Sequence, residues 1–264
     1  MTLSLVSIIS EKKESAFDLF DEIVNSMKKN NTSFANGDVL VISSKYISTS
    51  QNRVLTTSHI KPSEQAENIS KKFQIKSKIA EVILRESDNV LGGIPGFIIA
   101  TSDNILAPNA GIDQSNAKKE KLILYPYDSY VIAEQLRRKF FLKFQINIGV
   151  IVVDSRLMPA RIGTTGVAIA CSGIEPIKDM RAQIDLEGNP LKVTFQAVAD
   201  NLATIANHKM GEGSESKPFV IIKNSGAKLT NRKITPNEMQ VSHEQCIYIR
   251  GLRNYKSKFL VSWN

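Results

Sequence analysis

Apolar positions recur along the chain in two rhythms, and the switches between them predict the elements. Leu3 to Ile9 is an apolar run of strand length. Ser15 to Lys29 takes up helical spacing, with Phe20, Ile23, Val24 and Met27 at i, i+3, i+4 and i+7. Asn36-Gly37 marks a turn, and Val39 to Ile42 reads as a buried strand that runs out into Ser43-Ser44-Lys45. A helix is expected over Lys76 to Glu86. Gly92, Gly93, Pro95 and Gly96 break the chain before a strand at Phe97 to Ala100. Asn109 to Asn116 is a polar loop. Ser129 to Phe144 reads as a helix with Ala133, Leu136, Phe140 and Phe144 along one side. The β-branched run Asn147 to Val153 is expected to stop at Asp154-Ser155, and Val167 to Cys171 is a further short apolar run. Thr194 to Met210 reads as a helix with Thr194 as N-cap and Gly211 as C-cap. Phe219 to Ile222, Cys246 to Ile249 and Phe259 to Trp263 complete the strand candidates.

Strands and helices interleave without a steady strand–helix–strand beat. This favours an α+β fold with mixed β-sheets over a doubly wound parallel one. No repeat, low-complexity tract or Pro/Ser linker divides the chain, so residues 1–264 are taken as one unit.

Composition narrows the class. Apolar residues are 42% and charged residues 23%, near the average for globular domains, which excludes disordered, collagen-like and coiled-coil chains. Two cysteines, Cys171 and Cys246, cannot staple a disulfide scaffold, which points to a reducing, cytoplasmic setting. No apolar run approaches the roughly 18 residues of a spanning helix. Leu3 to Ile9 lacks a preceding basic residue and is cut short by Glu11 to Glu14, so it does not read as a signal peptide. The formal charge of +8 favours anionic partners. The lysines are scattered in pairs such as Lys12-Lys13 and Lys71-Lys72, with no basic block or aromatic–basic string, so nucleic acid is not the expected partner.

Common catalytic signatures are missing: no phosphate-loop or dinucleotide glycine motif, no paired metal-ligand spacing, no nucleophile elbow. His59, His208 and His243 each stand alone. Two aspartates stand out by position. Asp113 sits in a loop dense in Asn and Gly, and Asp154 follows the buried run. Carboxylates at such exits suit Mg²⁺ or Mn²⁺, which take one or two carboxylates plus substrate phosphates. Ser155 adds a hydroxyl. The same aspartates also fit plain turn and strand-end roles. Lys45 at a strand exit can hold a phosphate as a point charge or can simply be solvated. Met210-Gly211-Glu212 either presents amides and a carboxylate to a nucleotide or is a C-cap and loop.

Taken in order, these segments resemble the coenzyme F420 γ-glutamyl ligases. Gly37 to Lys45 is similar to the family's GDVLVISSK segment, and Asn109 to Asn116 to its NAGIDxSN loop. Ala133 to Arg137 falls where the family has a helix with a characteristic Ile-Arg. Val152 to Ser155 resembles its strand with a DS or DT pair. Gly166 to Ile169 with Gly173-Ile174 resembles its GVAIGxxGI stretch. Val198 to Asp200 and Met210 to Glu212 resemble its later helix and MGE or MGQ end. The resemblance covers about residues 37 to 223. It implies a two-lobed fold, an intertwined homodimer, and a reaction that uses GTP to join L-glutamate to coenzyme F420-0 through an acyl phosphate. It also implies two divalent ions, Mg²⁺ or Mn²⁺, with K⁺ as a further ion. Carried over by position, Asp113, Asp154, Ser155 and Glu212 are the implied metal ligands. Ser43, Ser44, Lys45, Asn116, Met210 and Gly211 are the implied nucleotide contacts. Asp113, Asp154, Arg137 and Arg161 are the implied catalytic set, with the two arginines facing acidic substrate groups.

The chain departs from that pattern in places. The stretch after the DS pair, usually FGRPWR, is Arg156-Leu157-Met158-Pro159-Ala160-Arg161; Pro159 and Arg161 remain. Ala170 and Asn201 replace a glycine and an acid. The alternative expectation is therefore a diverged paralogue that binds nucleotide or an F420-like ligand but uses another acceptor or is silent.

Overall fold

The computed structural model describes residues 2–113, 120–242 and 244–253. β1 (Ser4–Ile8) is followed by α1 (Leu19–Lys29), and β2 (Val39–Ser43) runs straight into α2 (Ser44–Ser50). β3 (Val54–Thr56), α3 (Glu64–Phe73) and α4 (Ser77–Glu86) come next. Then follow β4 (Asn89–Ile94), β5 (Phe97–Ser102), β6 (Ile105–Pro108) and β7 (Lys121–Ile123). The second half holds α5 (Ser129–Phe144), β8 (Gly149–Leu157), β9 (Thr164–Ser172), β10 (Ile177–Asp179), β11 (Phe195–Ala197), α6 (Val198–Met210), β12 (Phe219–Lys223) and α7 (Ile247–Arg253).

The main sheet has five strands in the order β1-β12-β2-β8-β9. Only β2 and β8 pair in parallel; the other neighbours are antiparallel. The fold is thus α+β with a mixed sheet, as the irregular beat of the sequence implies. Both faces of the sheet are covered, so its central strands are apolar throughout rather than alternating. Leu40, Ile42, Val150, Val152, Phe219 and Ile221 pack with α1 and α5 on one face. Val39, Val41, Ile151, Val153, Val220 and Ile222 pack with α6 on the other. A separate small sheet, β4-β5-β6, covers its own core of Phe73, Ile83, Ile98, Ala100 and Ala110 with α3 and α4. No helix among the described residues is long and apolar enough to cross a membrane.

Several expected boundaries move, each for a local reason. The first helix begins at Leu19 rather than Ser15 because the Asp18 carboxylate accepts the Asp21 amide at 2.8 Å and closes the N-terminus. The sixth begins at Val198, not after Thr194, because Phe195–Ala197 pairs with Ile177–Asp179 in a two-stranded ribbon. Gly211 does close it, at φ 82, where a Cβ would strike the Glu215 carboxylate. β8 continues through Asp154 and Ser155 to Leu157 because β9 keeps pairing with it. Gly92 and Gly93 lie inside β4, and the break falls at the turn that follows. Cys246 to Ile249 is not a strand: α7 begins at Ile247, with the Arg250 amide bonded to the Cys246 carbonyl at 2.9 Å. Phe259 to Trp263 lies outside the described residues.

Candidate active site

The parallel pair β2 and β8 ends on one side of the sheet, with Ser43 opposite Val153 in register. Ligands of α/β sheets gather outside such carboxyl ends. Ser44-Lys45 and Asp154-Ser155 therefore emerge side by side. A break in the pairing between Val152 and Val153, with Ile169 as the extra residue on β9, re-aims β8 just before Asp154.

The third part comes from the loop after β6. Asn109, Ala110 and Gly111 all take positive φ, at 51, 55 and 70°. Asn tolerates this region and Gly occupies it freely, while Ala110 is held there by complete burial. Gly111 admits no side chain, since a Cβ would lie 2.8 Å from the Tyr125 ring. The tight loop delivers Asp113, whose backbone exchanges two 2.9 Å hydrogen bonds with Ile123. The end of α6 brings the fourth part, Met210-Gly211-Glu212.

These four parts line one cleft of about 730 Å³, together with Ser10 to Lys13 from the chain after β1. The Lys45 Nζ lies 2.5 Å from Asp113 Oδ2. The Ser44 hydroxyl donates to Asp154 Oδ1 at 2.5 Å. Consecutive residues of α2 thus reach both aspartates. The Ser155 hydroxyl donates to Glu212 Oε1 at 2.6 Å, and the Thr164 hydroxyl and Asn207 amide reach the same oxygen at 3.1 and 2.8 Å. Burial pushes the Tyr46 hydroxyl up to about 12, so it lines the cleft as a neutral phenol beside Ser10, 2.8 Å away.

Of the residues singled out from the sequence, Ser43, Ser44, Lys45, Asp113, Asp154, Ser155, Met210, Gly211 and Glu212 all meet in this cleft. Asn116 lies outside the described residues. Arg137 and Arg161 do not line the cleft. Arg137 makes two hydrogen bonds with Glu134 on its own helix, at 2.8 and 2.9 Å, and one with Asn231. Arg161 is exposed on the turn between β8 and β9. Among the cleft residues that the sequence does not single out are Thr164, Asn207 and Arg156. Arg156 had an available signal, since it stands two positions after Asp154 on one strand and so shares its face.

The oxygen-only chemistry of Asp113, Asp154, Glu212 and Ser155 suits a hard divalent cation. Among the described residues no three acidic, His or Cys side chains close around a common point.

Comparison with known proteins gives the class first. The model of the family described as F420-0:Gamma-glutamyl ligase matches residues 9–224, which makes this chain a ligase, an enzyme that forms C–N bonds. The coenzyme F420:L-glutamate ligase of Archaeoglobus fulgidus is 36% identical over 190 residues, 72% of this chain and 76% of that one. That of Methanocaldococcus jannaschii is 36% identical over 210 residues, 78% and 84% of the two chains. That of Methanopyrus kandleri is 35% identical over 188 residues, 71% and 75%. The chain belongs to the F420-0:gamma-glutamyl ligase family.

Proposed function

We propose that the protein joins L-glutamate to coenzyme F420-0 with GTP as the energy source. The observation that carries this reading is the meeting of Lys45, Asp113, Asp154, Ser155 and Glu212 in one cleft. The family relationship supports the substrates.

In this reading the acceptor carboxylate attacks the γ-phosphate, GDP leaves, and an acyl phosphate forms. The α-amine of glutamate then attacks the acyl carbon and expels inorganic phosphate, losing a proton as the amide forms. Such phosphoryl transfer needs positioning and neutralised charge more than covalent help from the protein. Lys45 binds phosphate as a point charge, and Ser43 and Ser44 line the wall behind it. Asp113, Asp154, Ser155 and Glu212 present oxygens for divalent cation, which supplies Lewis-acid charge at the phosphates. The two-lobed, intertwined dimer belongs to the same proposal. Partly exposed Leu91, Ile94, Phe97 and Ile99 on the small sheet are consistent with a face covered in an assembly.

Phosphate release in the presence of GTP, Mn²⁺, glutamate and F420-0 tests the reading. Release that needs all four supports it. Nucleotide binding without glutamate-dependent release would instead favour a silent or differently directed paralogue.

A further inference from the structure

One cleft residue has no place in that scheme. Arg156 is buried, its side chain only 4% exposed, in the wall of the cleft. All three guanidinium nitrogens are shut from solvent and make no hydrogen bond among the described residues. The guanidinium lies 5.5 Å from the centre of the buried Tyr125 ring. Nη2 sits 3.6 Å from the point where a Gly111 side chain would begin. Its charge partner is Asp154, with Nε 2.8 Å from Oδ2 but out of line for a hydrogen bond.

A guanidinium cannot shed its proton, so this positive charge is permanent. Burying it is costly unless a fixed negative charge lies beside it. The pair therefore holds Asp154 neutralised before any ligand arrives. Oδ2 faces the guanidinium and Oδ1 accepts the Ser44 hydroxyl. A divalent cation arriving on the same carboxylate meets a fixed like charge, with twice the repulsion a single charge would feel.

Resting on the ligase reading above, we propose that Arg156 is an internal cation that takes the charge place of one divalent ion at Asp154. The cleft then takes one divalent ion with its nucleotide rather than two. Arg156 acts through Asp154 and is a positioning residue.

The test is a count of Mn²⁺ bound per chain, by equilibrium dialysis and electron paramagnetic resonance, with a non-hydrolysable GTP analogue. Wild type is expected to bind one Mn²⁺, Arg156→Lys one, and Arg156→Gln two. Arg156→Met, of similar length and uncharged, gives the same reading if the glutamine variant does not fold. Two ions on wild type, or one on every variant, would overturn the inference and leave the ligase reading standing. No Mn²⁺ bound with the nucleotide would remove the ligase reading itself.

Discussion

Asp154 is the residue on which most of the cleft converges: Ser44 bonds one oxygen, Arg156 faces the other, and Ser155 beside it holds Glu212. Asp154→Asn keeps the size of the side chain but removes the negative charge that faces the Arg156 guanidinium. Turnover is expected to fall by roughly a hundredfold or more, since the cleft loses a fixed charge where the proposed phosphoryl transfer takes place. The buried guanidinium left without its partner is expected to lower stability by about 3–5 kcal/mol while the circular dichroism spectrum at 25 °C stays native, and wild-type turnover in that variant would refute the role. Lys45→Ala removes the charge proposed to hold a phosphate and is expected to weaken GTP binding roughly 10- to 100-fold, the worth of a charged hydrogen bond. Unchanged affinity by calorimetry would refute that assignment. Most of these residues were legible in the sequence because strand exits and glycine loops announce themselves. Arg156 was not, because a strand that seemed to end at Asp154 hid the residue two places beyond it.

Among the elements, α5 shows how position in sequence misleads about role. Its Glu134 accepts hydrogen bonds from Arg137, Arg138 and the Ser172 hydroxyl, and these, led by Arg137, hold its carboxyl down to about 2. Glu134 thus ties α5 to β9 through the Ser172 hydroxyl, with Arg137 holding its carboxylate in place. A carboxyl lowered on folding stabilises fully above its unfolded value of 4.5 and loses that contribution as pH falls toward 2. Glu134→Gln is therefore expected to flatten the acid limb of stability between pH 5 and 2, read from urea midpoints, and an unchanged slope would contradict the pairing. Phe140, buried on the same helix against Phe20 and Phe34, anchors the sheet. Phe140→Ala is expected to cost about 3–5 kcal/mol in chemical denaturation. The long amphipathic helices were readable from spacing alone. Helix α2 was not, because its seven residues, Ser44–Ser50, carry few apolar side chains and form where β2 leaves the sheet. Helix α7 reads as a strand in the sequence because its apolar run is short and shows no periodicity long enough to choose.

For the whole molecule, the sheet order explains what the linear pattern could not. Strands distant in sequence, β2 and β8, become the parallel pair whose ends carry Ser44, Lys45, Asp154 and Ser155. No local propensity encodes that pairing; it follows from burying both faces of the sheet. The net charge of +8 also acts at this scale, and on the proposed reading it draws anionic nucleotide and coenzyme toward the cleft. The apparent second-order rate constant for GTP is expected to fall as salt rises, because screening shortens that reach. The most direct test of the account is mass spectrometry of F420-0 after incubation with the protein, GTP, Mn²⁺ and isotopically labelled glutamate. The account predicts an acceptor heavier by one or more labelled glutamyl residues, formed only when GTP is present. An acceptor of unchanged mass, with GTP consumed or not, would contradict it.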